Sequence, residues 1–93
     1  MELKEYEEIK REIESGKAER AMEHIDRLLE NGHSADARLH YLKGSAYMKK
    51  GDWRGAINCF LESEELDPES PAKEARKMLY DILEFYNKDM YNR

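Results

Sequence analysis

Apolar residues recur every three or four positions along nearly the whole chain, and the recurrence breaks at Gly16, Gly32, Gly51, Pro68 and Pro71. Such spacing lines apolar side chains along one face of an α-helix, and a glycine or proline after each run ends it. The pattern predicts five helices joined by tight turns. The first, over about 2–14, puts Leu3, Tyr6, Ile9 and Ile13 on one narrow stripe with charge elsewhere, as in an outer helix covering a core from one side. Its exposed pairs Lys4–Glu8 and Glu7–Arg11 stand four residues apart and add support. The second, over about 17–30, turns Ala18, Ala21, Met22, Ile25, Leu28 and Leu29 inward and ends at Asn31-Gly32, a pair suited to a left-handed cap. A third helix over about 35–50 takes Ser34 as its N-cap and Asp36 in its first turn, and closes at Gly51. Asp52 caps a fourth over about 53–66, which carries Trp53, Ala56, Ile57 and Phe60 inward and stops at Asp67-Pro68. Ser70-Pro71 opens the fifth, over about 71–88.

The fifth helix is the longest and most apolar. At about 100° per residue, Ala72, Ala75, Leu79, Ile82, Leu83 and Tyr86 fall together, with Met78 and Phe85 on one flank. That arc is wider than covering one neighbouring layer requires. Met78 and Phe85 therefore either stand exposed and join two chains into a homodimer, or pack under the last turn of the fourth helix.

Displacing the chain against itself by 35 residues superposes Gly16 on Gly51, Ala21 on Ala56, Met22 on Ile57, Ile25 on Phe60 and Tyr6 on Tyr41. A two-helix unit is used twice. Residues 37–70 resemble the tetratricopeptide repeat, whose signature of small and large residues is matched by Gly44, Tyr47, Ala56, Phe60 and Pro68 in the stretches GSAYMKKGDWRGAINCF and ELDP. Gly44 and Ala56 lack bulk, so the two helices of the unit approach closely while Tyr47 and Phe60 fill the space above and below. His40 and Lys43 stand where the family has large apolar residues, and Ser63 replaces an alanine. The first unit, about 2–34, keeps Ala21 and Ile25 but has Ile9 near the small position and His33 where the proline would stand. The expected architecture is a single all-α domain over 1–93, an antiparallel helix-turn-helix α-solenoid of two repeats with a capping helix over 71–88.

Composition strengthens the helical reading. The chain has no Val and no Thr, and its five Ile are the whole of its β-branched content, against fifteen Glu and eight Ala. Leu, Ile, Val and Phe make up only 16 of 93 residues, a level that warns of disorder, but six Tyr, five Met and a net charge of −5 offset the warning. A pI near 5.2, with no strongly basic segment, argues against nucleic acid and anionic membrane as partners, because phosphate contacts need clustered cations. One cysteine, Cys59, makes no internal disulfide; no apolar run is long enough to span a membrane, and the opening has no signal-peptide core. A soluble, cytoplasmic protein is expected.

Little points to catalysis. His24, His33, His40 and Cys59 are scattered singly, without the short spacing of a zinc site, so no metal or other cofactor is expected. Among the serines, Ser34 and Ser70 are explained as caps, none sits in a strand-to-helix elbow, and no glycine-rich phosphate loop appears. A raised-pKa carboxyl pair needs an enclosing apolar cleft, which a core this thin scarcely builds.

What the family resemblance implies is binding. In such arrays the first helix of each unit lines a concave groove that holds a peptide. Carried over by position, the second unit offers Arg38, Tyr41, Ser45, Met48 and Lys49, and the first offers Tyr6, Lys10 and Ile13. Tyrosines and long cations suit such a surface, supplying large contact area with polar tips; Tyr6 and Tyr41 are alternatively packing residues between units. Chaperone-binding members grip a C-terminal carboxylate with Lys, Asn and Arg. The corresponding positions here include Tyr41, Leu42, Ser45, Ala72 and Arg76, which leaves Arg76 alone of that clamp. The expected function is a non-catalytic adaptor that binds a protein or peptide, with self-association through the fifth helix as the rival.

Overall fold

In the computed structural model, which describes the backbone of residues 3–91 and the side chains of residues 3–84, five helices follow one another. They are α1 (Leu3–Glu14), α2 (Ala18–Leu28), α3 (Ala37–Lys49), α4 (Trp53–Leu66) and α5 (Ala72–Tyr91). The described residues form no strand, and the predicted helix ends shift by at most three residues. Gly16 and Gly51, which superpose at the 35-residue displacement, adopt the same left-handed conformation, φ 87° and 78°. Only glycine takes that conformation without strain, so both turns fold back alike and α1/α2 and α3/α4 become two copies of one hairpin. After α2 the chain widens over Leu29–His33, where Gly32 at φ 99° ends the helical path.

One expected cap is corrected. Asp36, not Ser34, caps α3: its carboxylate Oδ1 accepts from the amides of Arg38 at 2.9 Å and Leu39 at 3.3 Å. Ser34 lies three residues before the helix begins, too far back for its hydroxyl to reach those amides, and its carbonyl instead accepts from His40 Nε2 at 2.9 Å. Asp52 and Ser70 cap α4 and α5 as expected, accepting from the amides of Gly55 and Ala72.

The core falls into two clusters. The first joins Ile9, Ile13, Ala21 and Ile25 of the first unit to Leu39 and Leu42 of α3. The second joins Ala56 and Phe60 of α4 to Ala72 and Leu79 of α5. Thus α3 covers the first unit and α5, its counterpart one repeat later, covers the second. Tyr41 packs against both clusters.

Helices α3 and α4 approach each other closely, and the approach is reciprocal. A Cβ at Gly44 would lie 2.5 Å from the Phe60 ring, and one at Gly55 would lie 2.7 Å from the Tyr47 ring. Each helix gives up a side chain where the other presents a ring; Ala56, expected to let the helices approach, is fully buried, and Gly55, which the sequence reading did not single out, faces Tyr47. The first unit solves the same crossing differently. Ile9 and Ile25, both fully buried, occupy the positions of Gly44 and Phe60, while Glu12 and Arg20, at the positions of Tyr47 and Gly55, form an ion pair at 3.9 Å.

Ser63, a departure from the family pattern, is fully buried and holds three elements together. The Ala37 carbonyl only accepts, so the Ser63 hydroxyl donates to it at 2.6 Å, and Ser70 in turn donates to Ser63 Oγ at 2.7 Å. Ser70 Oγ accepts from the Ala72 amide at 3.1 Å. The chain of bonds leaves neither buried hydroxyl unsatisfied and ties the end of α4 to the starts of α3 and α5.

Alanine favours a helix over glycine by about 1 kcal/mol, yet Gly44→Ala is expected to destabilise the protein by about 1–3 kcal/mol in denaturant unfolding, because the buried Phe60 ring has nowhere to move. Gly55→Ala should cost less, since Tyr47 is half-buried and its ring has room to swing. A stabilised Gly44→Ala would contradict the packing described.

Candidate functional site: the concave groove

Two clefts open on the side formed by α1, α3 and α5. One, of about 490 Å³, is lined by Tyr6, Lys10, Arg38 and Tyr41 together with Leu3, Glu7 and the α4–α5 turn. The other, of about 650 Å³, is lined by Lys10, Ile13, Tyr41, Ser45, Met48 and Lys49 together with Glu14, Leu42, Trp53 and Ile82. All eight residues assigned to the groove by repeat position therefore line one cleft or the other. Lys10, Tyr41 and Leu42 line both, so the two clefts adjoin along one side of the molecule.

The walls are held by specific contacts. The Tyr6 hydroxyl donates to the Asp36 carboxylate, whose other oxygen caps α3, so α1 is locked to the start of α3. The Arg38 guanidinium lies 4.5 Å above the Tyr6 ring centroid, within cation–π range. Burial, and then the bond to Asp36, push the Tyr6 phenol up to about 12. Tyr41 lies on the Phe60 ring, centroids 5.9 Å apart and tilted 35°. Both tyrosines thus pack between units and also line the clefts. Ser45 Oγ donates to the Tyr41 carbonyl of its own helix at 3.2 Å. Ile13 and Leu42 are buried and form the floor, whereas Lys10 and Lys49 are exposed.

Sequence reasoning placed Trp53 and Ile82 inward and missed their share in the groove. Both are half-buried, so each contributes one face to packing and one to the larger cleft. Apolar periodicity marks the inward face alike for both uses and does not separate them.

The two departures at His40 and Lys43 lie outside the groove. Lys43 Nζ pairs with Asp26 at 2.7 Å across the α2–α3 joint. Burial works to lower the Lys43 ammonium, but the bond and charge of Asp26 outweigh it and raise its pKa. Arg76 clasps Glu64 with both Nε and Nη2, the latter at 2.9 Å. That bond holds the Glu64 carboxyl below its ordinary range and the guanidinium above its own. The single remaining position of a carboxylate clamp is therefore engaged inside the protein.

His24 sits between two carboxylates of α1, Nδ1 3.5 Å from Glu12 and Nε2 3.9 Å from Glu5. Cys59 is half-buried, and burial pushes its thiol up to about 11. Among the described residues, no group of three or more His, Cys, Asp or Glu side chains is placed to hold a metal ion. No helix among them is long and apolar enough to cross a membrane.

The tetratricopeptide repeat pattern matches residues 37–70, the α3/α4 unit with its reciprocal glycine–ring crossing. The whole fold is similar to the solution NMR structure of the Bacteroides fragilis protein BF1650, with a TM-score of 0.84 and 43% sequence identity over 99% of this chain and 91% of that one. Comparison with curated proteins gives no match. The chain belongs to the tetratricopeptide repeat family, whose repeats generally mediate protein–protein interaction and are generally non-catalytic.

The Tyr6–Asp36 lock has a pH signature. Tyr6 ionises near 10 when unfolded and near 12 when folded, so its contribution is complete below pH 10 and is lost as pH rises towards 12. Melting temperature measured from pH 8 to 12 should fall over that window, and Tyr6→Phe should fall less steeply because it has no phenol to ionise. Parallel curves would remove the lock.

Proposed function

We propose that the protein is a non-catalytic adaptor whose concave groove, lined by Tyr6, Lys10, Ile13, Arg38, Tyr41, Ser45, Met48 and Lys49, binds a segment of a partner protein. One observation carries this reading. Residues assigned to the groove by repeat position alone converge, from α1 and α3, on two adjoining clefts with a buried apolar floor and a rim of lysines, arginine and tyrosine. Concave sites of this kind take ligand side chains into apolar recesses and orient them by a few polar groups at the edge. A random dodecamer peptide library displayed on phage supplies the test. Binders selected on the parent protein should lose at least ten-fold in affinity towards Ser45→Trp, which fills the larger cleft, while helical content and melting temperature stay close to those of the parent. Undiminished binding to Ser45→Trp would place the interaction elsewhere.

A second reading, self-association through α5, rests on Met78 being 60% exposed beside an apolar helix face; Phe85, the other residue of that reading, lies outside the described side chains. Light scattering over a range of concentrations tests it. A monomer at high concentration would end that reading, and a dimer dissociated by Met78→Lys would support it.

A further inference from the structure

The charge along the groove names the kind of segment it takes, an inference that rests on the groove reading above. The chain carries five more acidic than basic charges at neutral pH, and several of its cations are consumed internally. Lys43 is paired with Asp26, Lys50 with Glu19, Arg76 with Glu64 and Arg20 with Glu12. Lys10 on α1 and Lys49 on α3 are different. Both are exposed, both line the 650 Å³ cleft, and no ion pair joins either to a carboxylate among the described residues. Beside them the cleft offers Ile13, Leu42, Met48, Trp53 and Ile82, and among the described residues Glu14 is the single acidic side chain lining it. The adjoining 490 Å³ cleft has the opposite balance, with Glu7, Asp67 and Glu69 against Lys10 and Arg38, and Arg38 is stacked on Tyr6. The groove therefore changes sign along its length, and its most apolar part coincides with its unpaired lysines.

We propose that the larger cleft recognises a segment carrying a large apolar side chain flanked by carboxylates, the apolar group seated on Leu42, Met48, Trp53 and Ile82 and the acids between Lys10 and Lys49. Each half of the arrangement depends on the other. The apolar anchor supplies most of the attraction by leaving water. The lysines give modest energy at an exposed rim but fix register and reject segments of the wrong charge, where like charges would face each other. A basic segment, which the chain's net charge would attract in general, is turned away at this position.

The same dodecamer phage library, sequenced after selection, reads this directly. The parent protein should enrich peptides with Trp, Phe or Leu beside Asp or Glu, and the Lys10→Glu/Lys49→Glu double variant should enrich peptides with Lys or Arg in those flanks. Synthetic copies of the selected acidic peptides should bind the parent at least ten-fold more tightly than copies with Asp and Glu replaced by Lys. Raising salt should narrow that difference, because the rim is open to solvent. Peptides without acidic enrichment that still lose binding to Ser45→Trp would overturn the charge assignment while leaving the groove in place. Binders indifferent to Ser45→Trp would overturn both. An unchanged peptide profile on the double variant would also overturn the assignment to Lys10 and Lys49.

Discussion

The distance at which α3 and α4 cross is set by two missing side chains. Gly44 lets the Phe60 ring lie against the α3 backbone, and Gly55 does the same for Tyr47 against α4. Both glycines carry a helix-propensity cost of about 1 kcal/mol relative to alanine, tolerated because close backbone approach gives each ring a full set of packing contacts. Much of the groove follows from that approach. Phe60, held down on Gly44, is the surface on which Tyr41 lies, and Tyr41 touches both core clusters while lining both clefts. The lining of the clefts and the packing of the repeat are thus parts of one arrangement.

The first unit shows that the hairpin tolerates another solution at the same crossing. Isoleucines replace the glycine–phenylalanine pair and an ion pair replaces the second glycine–ring contact, so bulk is shared between the helices instead of being concentrated on one. Approximate volume and hand of crossing suffice for a helix pair. The joints between units are made specific by polar contacts instead: Lys43 with Asp26, Tyr6 with Asp36, Arg76 with Glu64, and the Ser63–Ser70 chain. Such contacts fix which helix meets which and in what register, a task that a greasy interface performs poorly.

The helices and the two hairpins were legible because each depends on a local period or on the 35-residue displacement, and the same displacement picks out eight residues that line the clefts. Gly16 and Gly51 announced the turns, and Gly44 with Ala56 announced the close approach of α3 and α4. Gly55 was not legible, since a helical glycine carries no sign of what faces it until the partner helix is placed. Ser63 read as a departure from the family pattern because its three-way bond joins residues that only the fold brings together. The cap of α3 was misplaced for a related reason: both Ser34 and Asp36 are good capping residues, and choosing between them requires the true start of the helix. His40 and Lys43, which stand where the family has large apolar residues, face Ser34 and Asp26 and line neither cleft.

The most direct test is a double-mutant cycle of Gly44→Ala and Phe60→Leu, followed by denaturant unfolding. Glycine under the ring predicts strong coupling. Gly44→Ala should destabilise the parent, but in the Phe60→Leu background, where the ring is gone, it should become neutral or stabilise by up to about 1 kcal/mol as helix propensity takes over. Additive effects, equal in both backgrounds to within about 0.5 kcal/mol, would mean that the two residues do not meet and that the crossing is set by something else.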